Sequence, residues 1–333
     1  LAAKAGARFR FLEVDFADDA ALDAALGALA FDRIVHLGAQ PGVRYSIENP
    51  RSYVRANLVG HLNLLEAARH ANVRHMVYAS SSSVYGANAS MPFRVEDRVD
   101  HPRSLYAATK RADELMSETY AHLYRTPLTG LRFFTVYGPW GRPDMAAWLF
   151  TDAILSGRPI KVFNHGQLRR DFTYIDDIVD GVIGVLDHPP ASGGHEIYNV
   201  GDSRPVGLMT MIETLEQALG REAVKVMRPM QAGDVTATWA DGTSSALGKI
   251  AIARPAVEPQ GLDAVAVPGS PAIVELSPRA LHARLLENAA ARRKRAARSD
   301  QCGRGVGDIR RHHGDQGQPD RLASPAAERA GVR

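Results

Sequence analysis

The sequence has almost no cysteine and no long apolar segment. Cys302 is the single cysteine, so the chain cannot form an internal disulfide bond, as is usual for proteins of reducing compartments. No run of about 18 or more apolar residues occurs, which argues against a membrane-spanning helix, and the first residues lack the pattern of a secretory signal. These absences predict a cytoplasmic protein with no membrane partner.

Aromatic residues and methionine are missing from the last part of the chain. The 92 residues after Asp241 contain no Phe, Tyr, Trp or Met, although hydrophobic cores depend on large side chains of these types. Residues 281–333 carry twelve Arg and Lys residues against six Asp and Glu residues, whereas the whole chain has a net charge of only +3. We therefore predict that residues 242–333 form a basic, disordered tail.

The tail gives little support for a nucleic-acid or metal site. Residues 291–298 are rich in arginine, and clustered cations can bind the phosphates of nucleic acids, but residues 1–280 have a net charge of −3. We therefore predict no nucleic-acid partner. Cys302, His312 and His313 lack the spacing of a zinc site, and no metal is predicted.

Apolar strands alternate with amphipathic helices along the rest of the sequence. Strands are predicted at 32–37, 73–79 and 128–134, with helices at 50–70 and 105–124 between them. Such alternation is typical of the right-handed crossovers that build a parallel sheet. The sequence therefore predicts an α/β fold with a Rossmann-like, doubly wound parallel sheet.

Residues suited to acid–base chemistry come together at one end of this predicted sheet. Tyr106 and Lys110 are four residues apart in a predicted helix and so share one of its faces, while the serines at 80–83 close the preceding strand. An adjacent ammonium group favours the phenolate form of a tyrosine, and a phenolate can exchange a proton with a substrate hydroxyl. The pattern predicts an acid–base site made of a serine, Tyr106 and Lys110.

The chain also resembles a known family through six ordered motifs. They occupy residues 37–46, 78–86, 106–110, 131–139, 141–145 and 170–177. The set is similar to the extended short-chain dehydrogenases that act on nucleotide sugars, above all to UDP-glucuronate 4-epimerases. This resemblance covers residues 11–241 and implies NAD as the cofactor, a UDP-sugar as the substrate and a homodimer.

The resemblance implies a role for each member of the acid–base site. Tyr106 would take a proton from the sugar 4-hydroxyl as hydride passes to NAD, Ser81 would steady the oxygen, and Lys110 would tune Tyr106 and hold the nicotinamide ribose. Related dehydratases and decarboxylases carry acidic residues where this chain has Ser82 and Ser83. The predicted reaction is therefore 4-epimerisation of a UDP-uronic acid, UDP-glucuronate to UDP-galacturonate, through a 4-keto intermediate.

The resemblance also implies the binding residues. The NAD contacts would be Asp15, Leu37, Gly38, Ala39, Gln40, Asn57, Ser80, Tyr106, Lys110 and Phe133. The substrate contacts would be Arg44, Ser82, Ser83, Thr135, Arg142, Arg170, Gln231 and Asp234. Arg170 matches the arginine that holds the diphosphate. Arg142, with Arg44 second, is the candidate for the sugar carboxylate, because a guanidinium group forks onto a carboxylate.

Some of these residues, and the reaction itself, have alternative interpretations. Asp15 would equally cap a helix at 17–29, and Gly38 would equally belong to an ordinary turn. Residues 8–14 resemble the third strand of the family, yet the sequence contains no Gly-x-x-Gly-x-x-Gly loop, which holds the cofactor pyrophosphate. A neutral UDP-sugar 4-epimerase (UDP-glucose/UDP-galactose) and a non-catalytic truncated fragment unable to hold NAD remain as alternatives.

The resemblance divides the chain into two domains and the tail. Residues 1–140 and 171–198 would form the NAD-binding Rossmann-like domain, without its first strand, glycine loop and helix. Residues 141–170 and 199–241 would form a smaller α/β lobe that binds the nucleotide sugar. The homodimer would form through the helix that carries Tyr106 and the neighbouring helix.

Overall fold

The computed structural model describes residues 9–27, 29–86, 88–191, 193–231 and 234–241. The predicted tail at 242–333, with Cys302 and the arginine-rich segment, lies outside these ranges. Within them, no helix combines the length and the apolar character that are needed to cross a bilayer.

Ten strands and eight α-helices lie in the described part of the chain. The strands are β1 (Arg33–His36), β2 (His75–Ser81), β3 (Leu128–Phe133), β4 (Thr135–Tyr137), β5 (Ile160–Val162), β6 (Arg169–Tyr174), β7 (His195–Val200), β8 (Pro205–Gly207), β9 (Lys225–Met227) and β10 (Ala237–Thr238). The α-helices are α1 (Asp19–Leu26), α2 (Tyr45–Glu48), α3 (Pro50–Tyr53), α4 (Gly60–His70), α5 (Leu105–Tyr124), α6 (Ala146–Leu155), α7 (Ile175–Leu186) and α8 (Leu208–Leu219). A π-helix spans Val54–Val59, and 3₁₀ turns span Ser82–Tyr85 and Phe163–Gly166.

Four parallel strands form the main sheet in the order β1-β2-β3-β7. β2 is central and buried along almost its whole length, because apolar clusters pack on both of its faces. Met76 and Tyr78 point into one cluster with α4 and α5, and Val77 points into another with α7. Burial on both faces explains the nearly continuous apolar sequence of the strand and confirms the predicted Rossmann-like α/β fold.

Two smaller sheets use strands that lie between β3 and β7 and after β7 in the chain. One has the order β10-β6-β4, with β8 antiparallel to β6, and the other pairs β5 with β9. Phe150 and Ile154 of α6 pack with Ile212 of α8 and the strand residues Ile160 and Val162 in a separate apolar cluster. The division of residues 1–241 into a cofactor domain and a substrate lobe stays a prediction.

Two local predictions need correction. Residues 9–14 lie outside any strand, and the edge of β1 that faces away from β2 has no partner strand in the described ranges. A strand depends on main-chain hydrogen bonds to a neighbour, so the apolar pattern at 8–14 alone does not form one. The helix expected at 17–29 is the shorter α1, and Asp18 rather than Asp15 caps it, accepting from Ala21 N–H at 3.0 Å.

Candidate active site

The N-terminal half of α5 lies against the end of β2, as the spacing of Tyr106 and Lys110 predicts. Ser104 begins the helix, since its hydroxyl accepts from the N–H of Ala107 at 3.1 Å. Lys110 is 2% exposed, and its Nζ donates to the carbonyl oxygen of Ala79 at 2.9 Å. The ammonium group therefore lies beside β2, two residues before Ser81.

The serine hydroxyls at the end of β2 have different partners. Ser81 accepts from the N–H of Ser83 at 3.2 Å and donates to its hydroxyl at 3.1 Å, so it caps the 3₁₀ turn that contains Ser82. The Ser80 hydroxyl instead donates to Oε1 of the buried Glu114 at 2.6 Å. Ser81 and Ser83 thus remain together at the strand end, while the Ser80 side chain is bound to the protein interior.

Asn57 lies in the π-helix and joins two parts of the site. It is buried, and its side chain accepts from the N–H of Gln40 at 2.8 Å and donates to the carbonyl oxygen of Gln40 at 3.2 Å and to Oγ1 of Thr109 at 2.9 Å. The segment after β1 is thereby fixed to α5 next to Lys110. Single-turn π-helices occur frequently at functional sites, and this irregularity was not predicted from the sequence.

Most of the remaining residues predicted to bind the cofactor lie at the ends of strands β1 and β3, and Asp15 lies before α1. Leu37, Gly38 and Ala39 follow β1, and Phe133 ends β3. A Cβ on Gly38 would lie 2.9 Å from the ring of Phe16, so packing alone already favours glycine there. Asp15 accepts from Ala17 N–H at 3.0 Å and pairs with Arg55 at 2.7 Å.

Tyr53 is a central residue that the sequence analysis missed. It is fully buried, its hydroxyl lies 2.8 Å from the carbonyl oxygen of Pro41 and 2.6 Å from that of Gly42, and its ring centre is 6.1 Å from that of Tyr106. Burial raises the pKa of Tyr53, and the charge of Arg142 acts in the opposite direction. Tyr53 lies four residues before Asn57 in a predicted helix, so the two share a helix face. This spacing is a signal that could have identified Tyr53.

Arg142 is held by an acidic neighbour. Its Nε and Nη2 donate to the two carboxylate oxygens of Asp144 at 3.0 and 2.9 Å. These hydrogen bonds lower the pKa of Asp144, and the charge of Arg44 adds to the effect. Arg142, the first candidate for the sugar carboxylate, is therefore bound to a carboxylate of the protein, which the sequence analysis did not single out.

Arg170 and Asp234, both predicted substrate residues, form an ion pair. Arg170 Nη2 lies 2.6 Å from Asp234 Oδ1, and the N–H of Asp234 donates to the carbonyl oxygen of Gln231 at 3.3 Å. Asp234 also borders a cleft of about 680 Å³ together with Arg103, Met91 and Phe93. Thr135 begins β4, which pairs with β6, the strand of Arg170.

The described residues contain no cluster of three or more acidic, histidine or cysteine side chains that could hold a metal ion.

Comparison with known proteins agrees with this arrangement. A sequence profile described as the NAD dependent epimerase/dehydratase family matches residues 2–201. The chain belongs to this family. The predicted class of enzyme, an NAD-dependent epimerase, and the predicted cofactor, NAD, are thereby confirmed.

Three relatives of this epimerase show how far the similarity extends. Protein CapI of Staphylococcus aureus is 52% identical over 223 residues, 62% of this chain and 67% of that protein. The probable UDP-glucuronate 4-epimerase of Rhizobium meliloti (strain 1021) is 48% identical over 248 residues, 70% of this chain and 73% of that protein. The crystal structure of UDP-glucuronic acid 4-epimerase from Bacillus cereus in complex with UDP-glucuronic acid and NAD is 33% identical, with a TM-score of 0.65 over 73% of this chain and 76% of that chain.

The described residues of the epimerase fit the nicotinamide half of NAD. The ammonium group of Lys110 and the Tyr106 hydroxyl are groups of the kind that bind ribose hydroxyls, whereas both N–H groups of the Asn57 amide are already bound within the protein, to Gln40 and Thr109. For the pyrophosphate, proteins of this fold use a glycine-rich loop before a helix, and the sequence contains no such motif. The nicotinamide end is thus the part of the cofactor that these residues can position.

Proposed function

We propose that the protein interconverts UDP-glucuronate and UDP-galacturonate by 4-epimerisation. The observation that carries this proposal is the forked contact of Arg142 with the carboxylate of Asp144, in a chain whose Tyr106 and Lys110 share one face of α5. A cation suited to a uronate carboxylate is therefore present alongside the proposed acid–base residues of the motif set. The names of the relatives from Rhizobium meliloti and Bacillus cereus support the same substrate.

The proposed roles rest on the family motifs, and the position of Lys110 beside the end of β2 supports them. Tyr106 accepts the proton of the sugar 4-hydroxyl and later returns it, Ser81 donates a hydrogen bond to the sugar oxygen, and Lys110 stabilises the phenolate of Tyr106. NAD supplies the hydride acceptor for the oxidation and returns the hydride to the other face of the sugar. Hydroxyl groups, not carboxylates, occupy positions 82 and 83, so no additional acid is present there for elimination.

Arg142 would hold the substrate carboxylate in place of Asp144. A 4-keto uronate is a β-keto acid that loses carbon dioxide readily, so the orientation of its carboxylate matters. The forked contact with Asp144 already presents the guanidinium group in a geometry that fits a carboxylate. Arg44, which also acts on Asp144, would add a second positive charge.

We expect Arg142→Ala to weaken the use of UDP-glucuronate. A charge-assisted hydrogen bond contributes about 1.5–3 kcal/mol, so KM should rise roughly 10- to 100-fold, with decarboxylated by-product formed. Steady-state kinetics and chromatographic separation of the products measure both effects. Arg158→Ala is the matched control, because Arg158 also pairs with an aspartate, Asp152, at the surface. Unchanged epimerisation by Arg142→Ala, without by-product, would remove Arg142 from this role.

The experiment that tests the function is NAD titration followed by product analysis. Isothermal titration measures NAD binding to the 333-residue chain, and incubation with UDP-glucuronate should then yield UDP-galacturonate. Equal turnover of UDP-glucose would favour the neutral-sugar alternative. Absence of NAD binding would favour the non-catalytic alternative.

A homodimer through α4 and α5 is part of the proposal. Leu62 of α4 is 39% exposed and Leu115 of α5 is 54% exposed, although large apolar side chains contribute more to stability when they are buried. We expect sedimentation analysis to find a dimer and Leu115→Arg to convert it to a monomer. A Leu123→Arg control, near the end of α5, should leave the dimer intact if the contact centres on Leu115. Dimers in all three samples would contradict this interface.

A further inference from the structure

A fully buried carboxylate lies one helical turn after Lys110 on α5. Asp113 is 0% exposed, its Oδ2 accepts from Lys110 Nζ at 3.1 Å, and its Oδ1 has no hydrogen-bond partner. Lys110 also donates to the carbonyl oxygen of Ala79 at 2.9 Å. Because an unsatisfied buried oxygen and a buried charge both cost free energy, neither ionisation state of Asp113 is strongly preferred.

The other charged groups near Asp113 are already paired. Glu114 follows it on α5 and accepts two hydrogen bonds from Arg132 of β3, at 2.8 and 3.0 Å. Arg111 adds a third contact to Glu114 at 2.9 Å. Among the described residues, Lys110 is therefore the cation that is in direct contact with Asp113.

The rings packed around this pair carry no charge near neutral pH. His61 of α4 lies 3.0 Å from Ser117 Oγ, and burial lowers its pKa far below the usual range. Burial raises the pKa of Tyr78 of β2. Burial and the charge of Lys110 lower the pKa of His36 of β1 to about 3. Because these rings are neutral, Asp113 is the group in contact with Lys110 whose ionisation changes the electrostatic potential there.

We infer that Asp113 is a positioning residue for Lys110, and that its ionisation sets how much positive potential Lys110 presents to Tyr106. The inference rests on the proposed roles of Tyr106 and Lys110 in epimerisation. An ionised Asp113 draws the ammonium group towards itself and cancels part of its field. A protonated Asp113 leaves that field to act on Tyr106.

The ionisation of Asp113 is shifted towards neutral pH. Burial raises the pKa of Asp113 to about 7, against the opposing charge and hydrogen bond of Lys110, and the charge of Glu114 raises it further. As the pH falls through 7, Asp113 takes up a proton, and the positive potential that Lys110 presents to Tyr106 rises. This rise favours the phenolate that the proposed reaction requires, so the acidic limb of the activity profile should be broader than for a single ionisation.

Asp113→Asn tests this inference, because asparagine keeps the shape and a lysine acceptor but cannot ionise. We expect the acidic limb of kcat to move to lower pH by roughly one unit, about tenfold in rate at a fixed acidic pH, and to narrow to a single ionisation. The near-ultraviolet phenolate absorbance, taken as the difference between each protein and its Tyr106→Phe counterpart, should shift in the same direction. Glu213→Gln, which removes an exposed carboxylate from α8, should change neither.

Thermal stability separates a positioning role from a structural one. The pKa of Asp113 is higher in the folded than in the unfolded chain, so its contribution to stability is complete below about pH 4 and is lost as the pH rises through 7. Asp113→Asn should therefore raise Tm above pH 7. A change in Tm with an unmoved acidic limb and unmoved phenolate absorbance would overturn the inference. If neither UDP-sugar is epimerised, the proposed function fails, while the absorbance still decides the role of Asp113.

Discussion

Replacing Tyr106 with phenylalanine is expected to lower kcat by about 10²- to 10⁴-fold, the usual contribution of a general acid–base residue. The substitution removes only the hydroxyl and keeps a ring at 6.1 Å from that of Tyr53. The loss should therefore appear in kcat more than in KM, and NAD binding should persist. Steady-state kinetics and NAD titration of the same samples measure these effects.

Tyr53→Phe is the matched control for this experiment. Tyr53 is also a tyrosine of the site, but its hydroxyl is bonded to the main chain at Pro41 and Gly42. Removing it should cost stability, because a buried carbonyl loses its donor, and should lower kcat by less than about tenfold. If both variants lose activity equally, Tyr106 is not the specific acid–base residue.

The sequence predicted the elements that depend on local signals. α5 has the predicted bounds, Leu105–Tyr124, because Ser104 caps its first turn. The apolar run at 73–79 predicted the strand β2, which the structure buries on both faces. The strand expected at 8–14 failed for the described residues, since strand formation depends on a neighbour and not on the apolar pattern alone.

Contacts between distant residues account for what the sequence could not predict. The π-helix around Asn57 exists where the amide of that residue must reach both Gln40 and Thr109. Asp113 and Asp144 read as ordinary charged positions along the chain, and only the folded structure places them against Lys110 and Arg142. The candidate residues were therefore identifiable from their motifs, whereas the partners that position them were not.

Replacing Arg132 with methionine is expected to destabilise the protein by about 3–5 kcal/mol, the cost of removing one partner from a buried ion pair. Arg132 is 3% exposed and Glu114 is 1% exposed. Burial by itself raises the pKa of Glu114, but hydrogen bonds and charge from Arg132 outweigh it and lower the pKa. Without Arg132, Glu114 would be held by Ser80 and Arg111 alone. Urea denaturation measures the difference.

The double variant Glu114→Leu with Arg132→Met distinguishes a lost interaction from lost packing. It leaves no unpaired charge, so it should recover much of the stability that Arg132→Met loses. Arg98→Met, in an exposed pair with Asp100, should cost no more than about 1 kcal/mol. Equal losses in the double and single variants would show that Arg132 acts by packing over Tyr85, 4.9 Å from its ring centre.

The same ion pair should also affect catalysis. Glu114 accepts from Ser80 at 2.6 Å and lies on α5, while Arg132 lies on β3. The pair therefore joins α5 to the ends of β2 and β3, next to Ser81. A shift of about 1 Å at this junction would misplace the serine relative to Tyr106, and such misplacement can cost about 10²-fold in rate. We expect Arg132→Met to lower kcat at temperatures where it is still folded, and the double variant to restore stability without fully restoring kcat.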